Sequence, residues 1–296
     1  MGPRNIAFLL ATIAALIYGV TFTIAKDVMP EYIRPFGFIV LRVLGATILF
    51  WISGLFIKKE KIAFQDFIRI SLAAIFGIAL NMLAFFKGLS MTTPISAAVI
   101  MVTSPILVLI FATIFLDEKA TKLKLAGIFI GMAGAALLIL YGHEFDLGGN
   151  AMLGNSLILV NASSYALYLI LIKNLTNKYN PLTFAKWLYL FGLIMVIPFG
   201  LKEFSMISWE TLPETILYKI TFVVVATTFI TYMFNLFAIR KLKPTTLSIF
   251  IYFQPVIASV YALLVGSDSL DSVKIIATVL IFIGVFLVTR KPKEEG

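Results

Sequence analysis

Cysteine is absent from this chain, which removes disulfides, a thiolate nucleophile and any CxxC metal site from consideration. Histidine occurs once, as His143, in a connecting stretch beside Glu144 and Asp146, so neither a histidine-based metal centre nor a proton relay inside a membrane has a carrier in it. Charge is scarce as well. Only 13% of the residues are charged while 60% are hydrophobic, too little polar surface to cover a water-soluble globule. The net charge of +9 could suggest a nucleic-acid partner, but the cations stand in short clusters between apolar runs and form no continuous basic face. No nucleic acid is expected, and the partner such clusters fit is the lipid bilayer with its anionic surface.

What is present is a series of long apolar runs. A hydrocarbon core of roughly 30 Å needs about 20 apolar residues per helix. By that measure the chain holds ten spans, over 6–25, 36–56, 70–88, 94–117, 123–141, 153–173, 182–201, 218–239, 244–266 and 273–290. The fold class expected is an all-α polytopic membrane protein. The first span is expected to be retained, because Lys26 and Asp27 follow it where a signal peptide would carry small residues before a cleavage site.

Lysine and arginine concentrate on alternate connections, among them Lys58, Lys59, Lys61 and Arg69, then Lys119, Lys122 and Lys124, then Arg240, Lys241 and Lys243. The positive-inside rule then places both termini in the cytoplasm, and the chain is expected in the cytoplasmic membrane of a prokaryote. The same charges expose a repeat. Under an ungapped offset of 150 residues, Pro94, Pro105, Ala112, Lys124, Gly134 and Leu137 meet identical residues at 244, 255, 262, 274, 284 and 287. Ser90, Met91 and Thr93 meet Arg240, Lys241 and Lys243, while Lys119 and Lys122 meet Ser269 and Ser272. Charged and neutral loops exchange sides between the copies. A five-helix unit repeated once must enter the membrane the second time upside down, so two inverted-topology repeats are expected, 1–148 and 149–296. Such a plan places a substrate site near the midplane where the halves meet.

Several stretches resemble the drug/metabolite transporter superfamily in its EamA-domain branch. In the first half these are ALIYGVTFTIAK at 15–26, RPFGFIVLR at 34–42, GIALNMLAFFKGLSMTTPISAAVI at 77–100 and LDEK at 116–119. In the second they are TFITYMFNLFAIRKLKPTTLS at 228–248 and QP at 254–255. The chain departs from the family at Tyr18, where tryptophan is usual, and at Gly266, Ser267 and Asp268, where a Gly-Glu pair is frequent. The resemblance implies an alternating-access carrier, commonly an exporter of amino acids or other metabolites, with a central cavity lined by both halves.

The residues themselves supply candidates for that cavity. In helix 6, Asn161, Ser164, Tyr165 and Tyr168 fall at i, i+3, i+4 and i+7 and form one polar stripe. Aligning Lys26 with Lys173 sets Tyr18 of helix 1 opposite Tyr165 and Thr21 opposite Tyr168. Helix 8 offers Thr227, Thr228, Thr231 and Asn235, with Thr231 matching Asn81 of helix 3, and helix 9 adds Tyr252 and Gln254. Polar groups in hydrocarbon are costly unless they find partners or water, so these are expected to face inward, either lining a cavity or joining helices. Tyrosines mixed with amides suit a cargo with an apolar body and hydrogen-bonding groups.

Arg42, about 10 Å into helix 2 by helical rise, has no basic counterpart in helix 7. It is read as a structural or gating residue, with direct binding of an anion as the alternative. Pro94 and Pro244 should open helices 4 and 9, whereas Pro105 and Pro255 lie inside them and should kink both symmetrically, which suggests hinges. Gly127, Gly131 and Gly134 should let helix 5 pack closely, and Trp187 and Trp209 should anchor at the membrane surface. The function expected is export of amino acids or related compounds by a monomer without cofactor, metal or catalytic residue. Other small solutes such as nucleobases, sugars, organic acids or drugs stay open, as does, more remotely, a polytopic membrane enzyme.

Overall fold

The computed structural model describes residues 2–92, 94–141, 151–264 and 271–290. Everything regular in them is helical. Helix 1 spans Pro3–Val28 and helix 2 Pro35–Ser53. Helix 3 runs from Phe64 to Leu89 through a π-helical segment, Ile75–Ala79. Helix 4 is made of Pro94–Met101 and Ser104–Leu116, helix 5 is Lys122–Leu140, helix 6 Ala151–Lys178 and helix 7 Pro181–Ser205. Helix 8 runs from Glu214 to Lys241 with a second π-helical segment, Val223–Ile230. Helix 9 combines Pro244–Ser248, a 3-10 turn at Ile249–Tyr252, and Phe253–Leu264; helix 10 is Ser272–Thr289. Among the described residues nine helices are long and apolar enough to cross a membrane, and helix 9 occupies the place of the tenth.

Several helices outrun the sequence expectation. Helix 3 starts at Phe64, not at 70, and helix 6 continues past 173 to Lys178. A hydropathy ruler stops at the first charge, whereas here Asp66 is buried in the first turn of helix 3. Its carboxylate accepts a hydrogen bond from the Tyr179 hydroxyl at 2.7 Å and pairs with Lys178 and Arg69. Paired in this way, the charge permits the helix to continue. The expected cluster of His143, Glu144 and Asp146 and the departures at 266–268 lie outside the described residues. Large apolar side chains such as Phe115, Phe199 and Phe286 cover the outside of the bundle, a surface suited to lipid.

The packing has the symmetry of the repeat. Helix 5 lies along helix 10, and helix 2 along helix 7. Helix 3 packs on helix 6 as helix 8 packs on helix 1, and helix 4 packs on helix 6 as helix 9 packs on helix 1. Exchanging the halves maps every one of these pairs onto another or onto itself. The glycines of helix 5 work within the chain: a Cβ at Gly127 would stand 2.8 Å from the Gly284 carbonyl, and one at Gly134 would stand 2.8 Å from the Ala277 carbonyl. Thr121 and Asp271, equivalent by the offset, cap helices 5 and 10 through the Lys124 and Lys274 amides at 3.3 and 2.9 Å.

Irregularities repeat too. The π segments of helices 3 and 8 occupy corresponding positions. So do the interruption of helix 4 at 102–103, just ahead of Pro105, and the 3-10 turn of helix 9, just ahead of Pro255. A π segment carries one residue more than the helical ladder holds and redirects the carbonyls around it. The central site is built on that feature.

Candidate substrate site

In helix 3, two carbonyls of the π segment are taken by other helices. Ser164 of helix 6 donates its hydroxyl to the Phe76 carbonyl at 2.7 Å, and Tyr232 of helix 8 donates to the Gly77 carbonyl at 3.0 Å. Helix 8 satisfies its own π segment with threonines. Thr228 donates to the Val223 carbonyl five residues back at 2.7 Å, and Thr231 donates to the Thr227 carbonyl. Because the single Thr228 hydrogen is committed there, its oxygen faces outward as an acceptor. Arg42 of helix 2 reaches it, with Nε donating at 3.2 Å.

Tyrosines surround this point. Arg42 lies among Tyr232, Tyr189 and Tyr18, and Tyr18 in turn faces Thr231 and Asn235. The Tyr189 and Tyr232 rings meet edge to face at 5.1 Å, and Tyr168 stands 6.4 Å from Tyr232. The set draws on helices 1, 2, 6, 7 and 8, hence on both repeats. Four buried polar atoms are sealed without a partner among the described residues: Asn161 Oδ1, Thr183 Oγ1, the Tyr189 hydroxyl and Thr245 Oγ1. Among the described residues the Tyr165 and Tyr168 hydroxyls and the terminal nitrogens of Arg42 also have no hydrogen-bond partner.

The symmetric halves use different chemistry at one contact. Thr21 of helix 1 shares a hydrogen bond with Thr227 of helix 8 at 2.7 Å. In the mirror position the Tyr168 ring lies flat over Gly77, so close that a Cβ there would come within 2.3 Å of it. Glycine is required at 77 by this approach.

Of the residues singled out in the sequence, Tyr18, Tyr165, Tyr168, Thr231, Asn235 and Arg42 are gathered here, with Thr21 one contact away. Asn81 and Asn161 are used differently. Asn161 donates its amide to the Asn81 carbonyl at 2.7 Å and Asn81 returns an amide to the Asn161 carbonyl at 3.3 Å, a reciprocal clamp between helices 3 and 6. Tyr252 stands apart, its ring against Gly131 and its hydroxyl donating to the Ile128 carbonyl of helix 5 at 3.3 Å. Gln254 lies on helix 9 where that helix passes helix 1, its carbonyl near Gly19. Pro105 is buried and Pro255 half-buried in the interrupted helices. Sequence reasoning missed Tyr189 and Tyr232. Tyr232 had a signal, since it follows Thr228 by four residues and precedes Asn235 by three on one helical face. Tyr189 had only Lys186, three residues before it, and that lysine turns to the Trp51 ring.

Past Thr21, where helix 1 ends and helix 2 begins, an apolar cluster includes Val28, Ile33, Phe38, Ile216 and Val223. At the opposite end, Lys173 of helix 6 donates to the Ile239 and Leu242 carbonyls at 2.5 and 2.8 Å and so ties helix 6 to the end of helix 8. Beside this tie a cavity of about 570 Å³ is lined by Arg4, Lys119, Lys124, Lys241, Lys243 and Arg290, with Asp117 as its one acidic side chain.

This arrangement can be set against known proteins. A solved crystal structure superposes with a TM-score of 0.77 over 96% of this chain and 96% of its own at 15% identity, a likeness of fold. An uncharacterized transporter of Archaeoglobus fulgidus is 25% identical over 97% of this chain and 98% of its own length. The uncharacterized transporter YyaM of Bacillus subtilis is 27% identical over 94% and 93%, and a WAT1-related protein of Arabidopsis thaliana 26% over 81% and 70%. The EamA-like transporter family model matches twice, over residues 5–140 and 152–290, once on each half of the symmetric bundle, and the chain belongs to that family.

Proposed function

We propose that the protein is a carrier that exports small metabolites, foremost amino acids or related compounds, by alternating access between its halves, 1–148 and 149–296. One observation carries the reading: Arg42, Tyr18, Tyr168, Tyr189 and Tyr232, contributed by both repeats, converge on one buried place between them. Asn81 and Asn161, by contrast, spend their amide nitrogens on each other's carbonyls and join helices 3 and 6. Rings with free hydroxyls can stack on an apolar body and bond its polar groups. The interrupted helices 4 and 9 supply symmetric hinges at Pro105 and Pro255, one for each membrane face. The protein acts as a monomer in the cytoplasmic membrane with both termini inside, and its function involves no bond-making step.

Counterflow tests this directly. Proteoliposomes loaded with unlabelled amino acids are given trace labelled amino acids outside, one at a time. Transient accumulation of one of them is expected, since a carrier exchanges and a channel does not. Absence of accumulation with amino acids, nucleobases, sugars and organic acids alike would refute the carrier reading.

A further inference from the structure

We propose that Arg42 is the anion-holding residue of the central site, and that the cargo presents a single carboxylate to its two terminal nitrogens. This rests on the carrier reading above and adds the charge and the anchoring group of the substrate.

Arg42 is 9% exposed and has five N–H donors, of which the structure uses one, on Thr228. No acidic side chain pairs with it among the described residues, and its remaining polar neighbours are tyrosines. A guanidinium held inside a membrane without a counter-charge is strongly disfavoured. The other cation buried among the described residues is compensated in full view: Lys124 pairs with Glu118 at 2.5 Å. The half-buried Lys173 likewise rests on two carbonyls. Arg42 is the exception. A merely structural arginine would have its fork filled in the same manner, and a snorkelling one would turn toward the headgroups beyond Pro35. The bond from Nε to Thr228 instead turns the guanidinium across the bundle toward helix 8.

The planar fork matches a carboxylate with two parallel N–H···O bonds. One unpaired cation balances one negative charge, so a monocarboxylate fits and a phosphate dianion or dicarboxylate does not. Tyr165, whose hydroxyl has no hydrogen-bond partner among the described residues, remains for the rest of the molecule. The basic cavity beside Lys173 raises the local concentration of anions at that end of the bundle.

The test uses the purified full-length chain in detergent, with thermal denaturation as readout. Phenylacetate, pyruvate and L-phenylalanine are compared with phenylacetamide, pyruvamide and L-phenylalaninamide at equal ionic strength. A ligand that binds the folded state raises its melting midpoint. At least one acid should give a saturable rise that its amide does not. Arg42→Gln should weaken that acid on the order of ten- to a hundredfold, the loss of charge-assisted bonds, and Arg42→Lys should fall between. A structural role predicts a lower midpoint for the unliganded Arg42→Gln protein, whereas removal of an uncompensated charge leaves it equal or higher. Equal responses to acid and amide, no response of the wild type to any acid, or an Arg42→Gln protein that melts early and still responds would each overturn the proposal. Counterflow with the same compounds separates the two readings. Exchange of amides but not acids keeps the carrier and removes the role of Arg42, while binding of acids without exchange keeps the site and removes the carrier.

Discussion

At Gly77 there is room for a hydrogen atom and nothing larger, because the Tyr168 ring covers the backbone. Gly77→Ala should therefore cost about 1–3 kcal/mol through overpacking, read as a lowered melting midpoint. The mirror contact shows how to repair a larger change: Thr21 and Thr227 fill the same place with a hydroxyl pair. Gly77→Thr combined with Tyr168→Thr should be more stable than Gly77→Thr alone, and equal instability of the two would refute the equivalence of these contacts. Asn161 and Tyr165 share a stripe on helix 6 but not a task. Asn161→Ala removes a bond of the clamp with Asn81 and should lower stability by about 1 kcal/mol with the apparent affinity for cargo little changed. Tyr165→Phe should do the reverse, weakening affinity in counterflow while the midpoint stays in place. The spacing of the stripe was legible in the sequence. Which members bond a neighbouring helix and which stay without a partner was not, since that depends on the π segment of helix 3, whose Phe76 carbonyl captures Ser164.

Among elements, helices 4 and 9 are the ones interrupted ahead of an interior proline. Their interior prolines lack the N–H that would close the ladder, and the chain responds with an interruption ahead of Pro105 and a tight 3-10 turn ahead of Pro255. Replacing either by alanine restores a hydrogen bond of about 1 kcal/mol, enough for about a fivefold change in a barrier-limited rate. Pro105→Ala and Pro255→Ala should each slow exchange by roughly that factor without changing binding, and unchanged exchange in both would show the bends to be static. The end of helix 8 supplies a second test. Lys173 holds two of its terminal carbonyls, and Lys173→Ala should lower thermal stability by about 1 kcal/mol, the scale of a cation at a helix C-terminus. Paired prolines announced the bends in the sequence. The paired π segments had no such herald, because they arise where long helices adjust their register to fit the helices they cross, and no residue type demands them.

For the whole molecule, the exchanged loop charges and the exchanged helix contacts describe the same operation, a five-helix unit used twice in opposite senses. Orientation follows from charge alone and can be measured cleanly, since the chain has no cysteine to interfere. Lys58→Cys should react with a membrane-impermeant maleimide only after intact cells are permeabilised, and Lys202→Cys should react before. The reverse pattern would invert the topology and place the basic cavity on the outside.

Composition and periodicity by themselves determined that this chain lives in lipid, how many times it crosses, that it repeats, and which helices carry polar stripes. Those properties are set by the transfer of residues into hydrocarbon, which each segment feels whether or not its neighbours are in place. The tertiary structure alone decided which polar groups cancel one another and which remain unpaired. Asn81 and Asn161 exchange amide bonds, Tyr252 is absorbed against helix 5, Tyr189 is brought in from helix 7, and Arg42 is left with an open fork. Hydrogen bonding is directional and needs both partners within about 3 Å, so the contents of the site exist only once five helices from two repeats have been brought together.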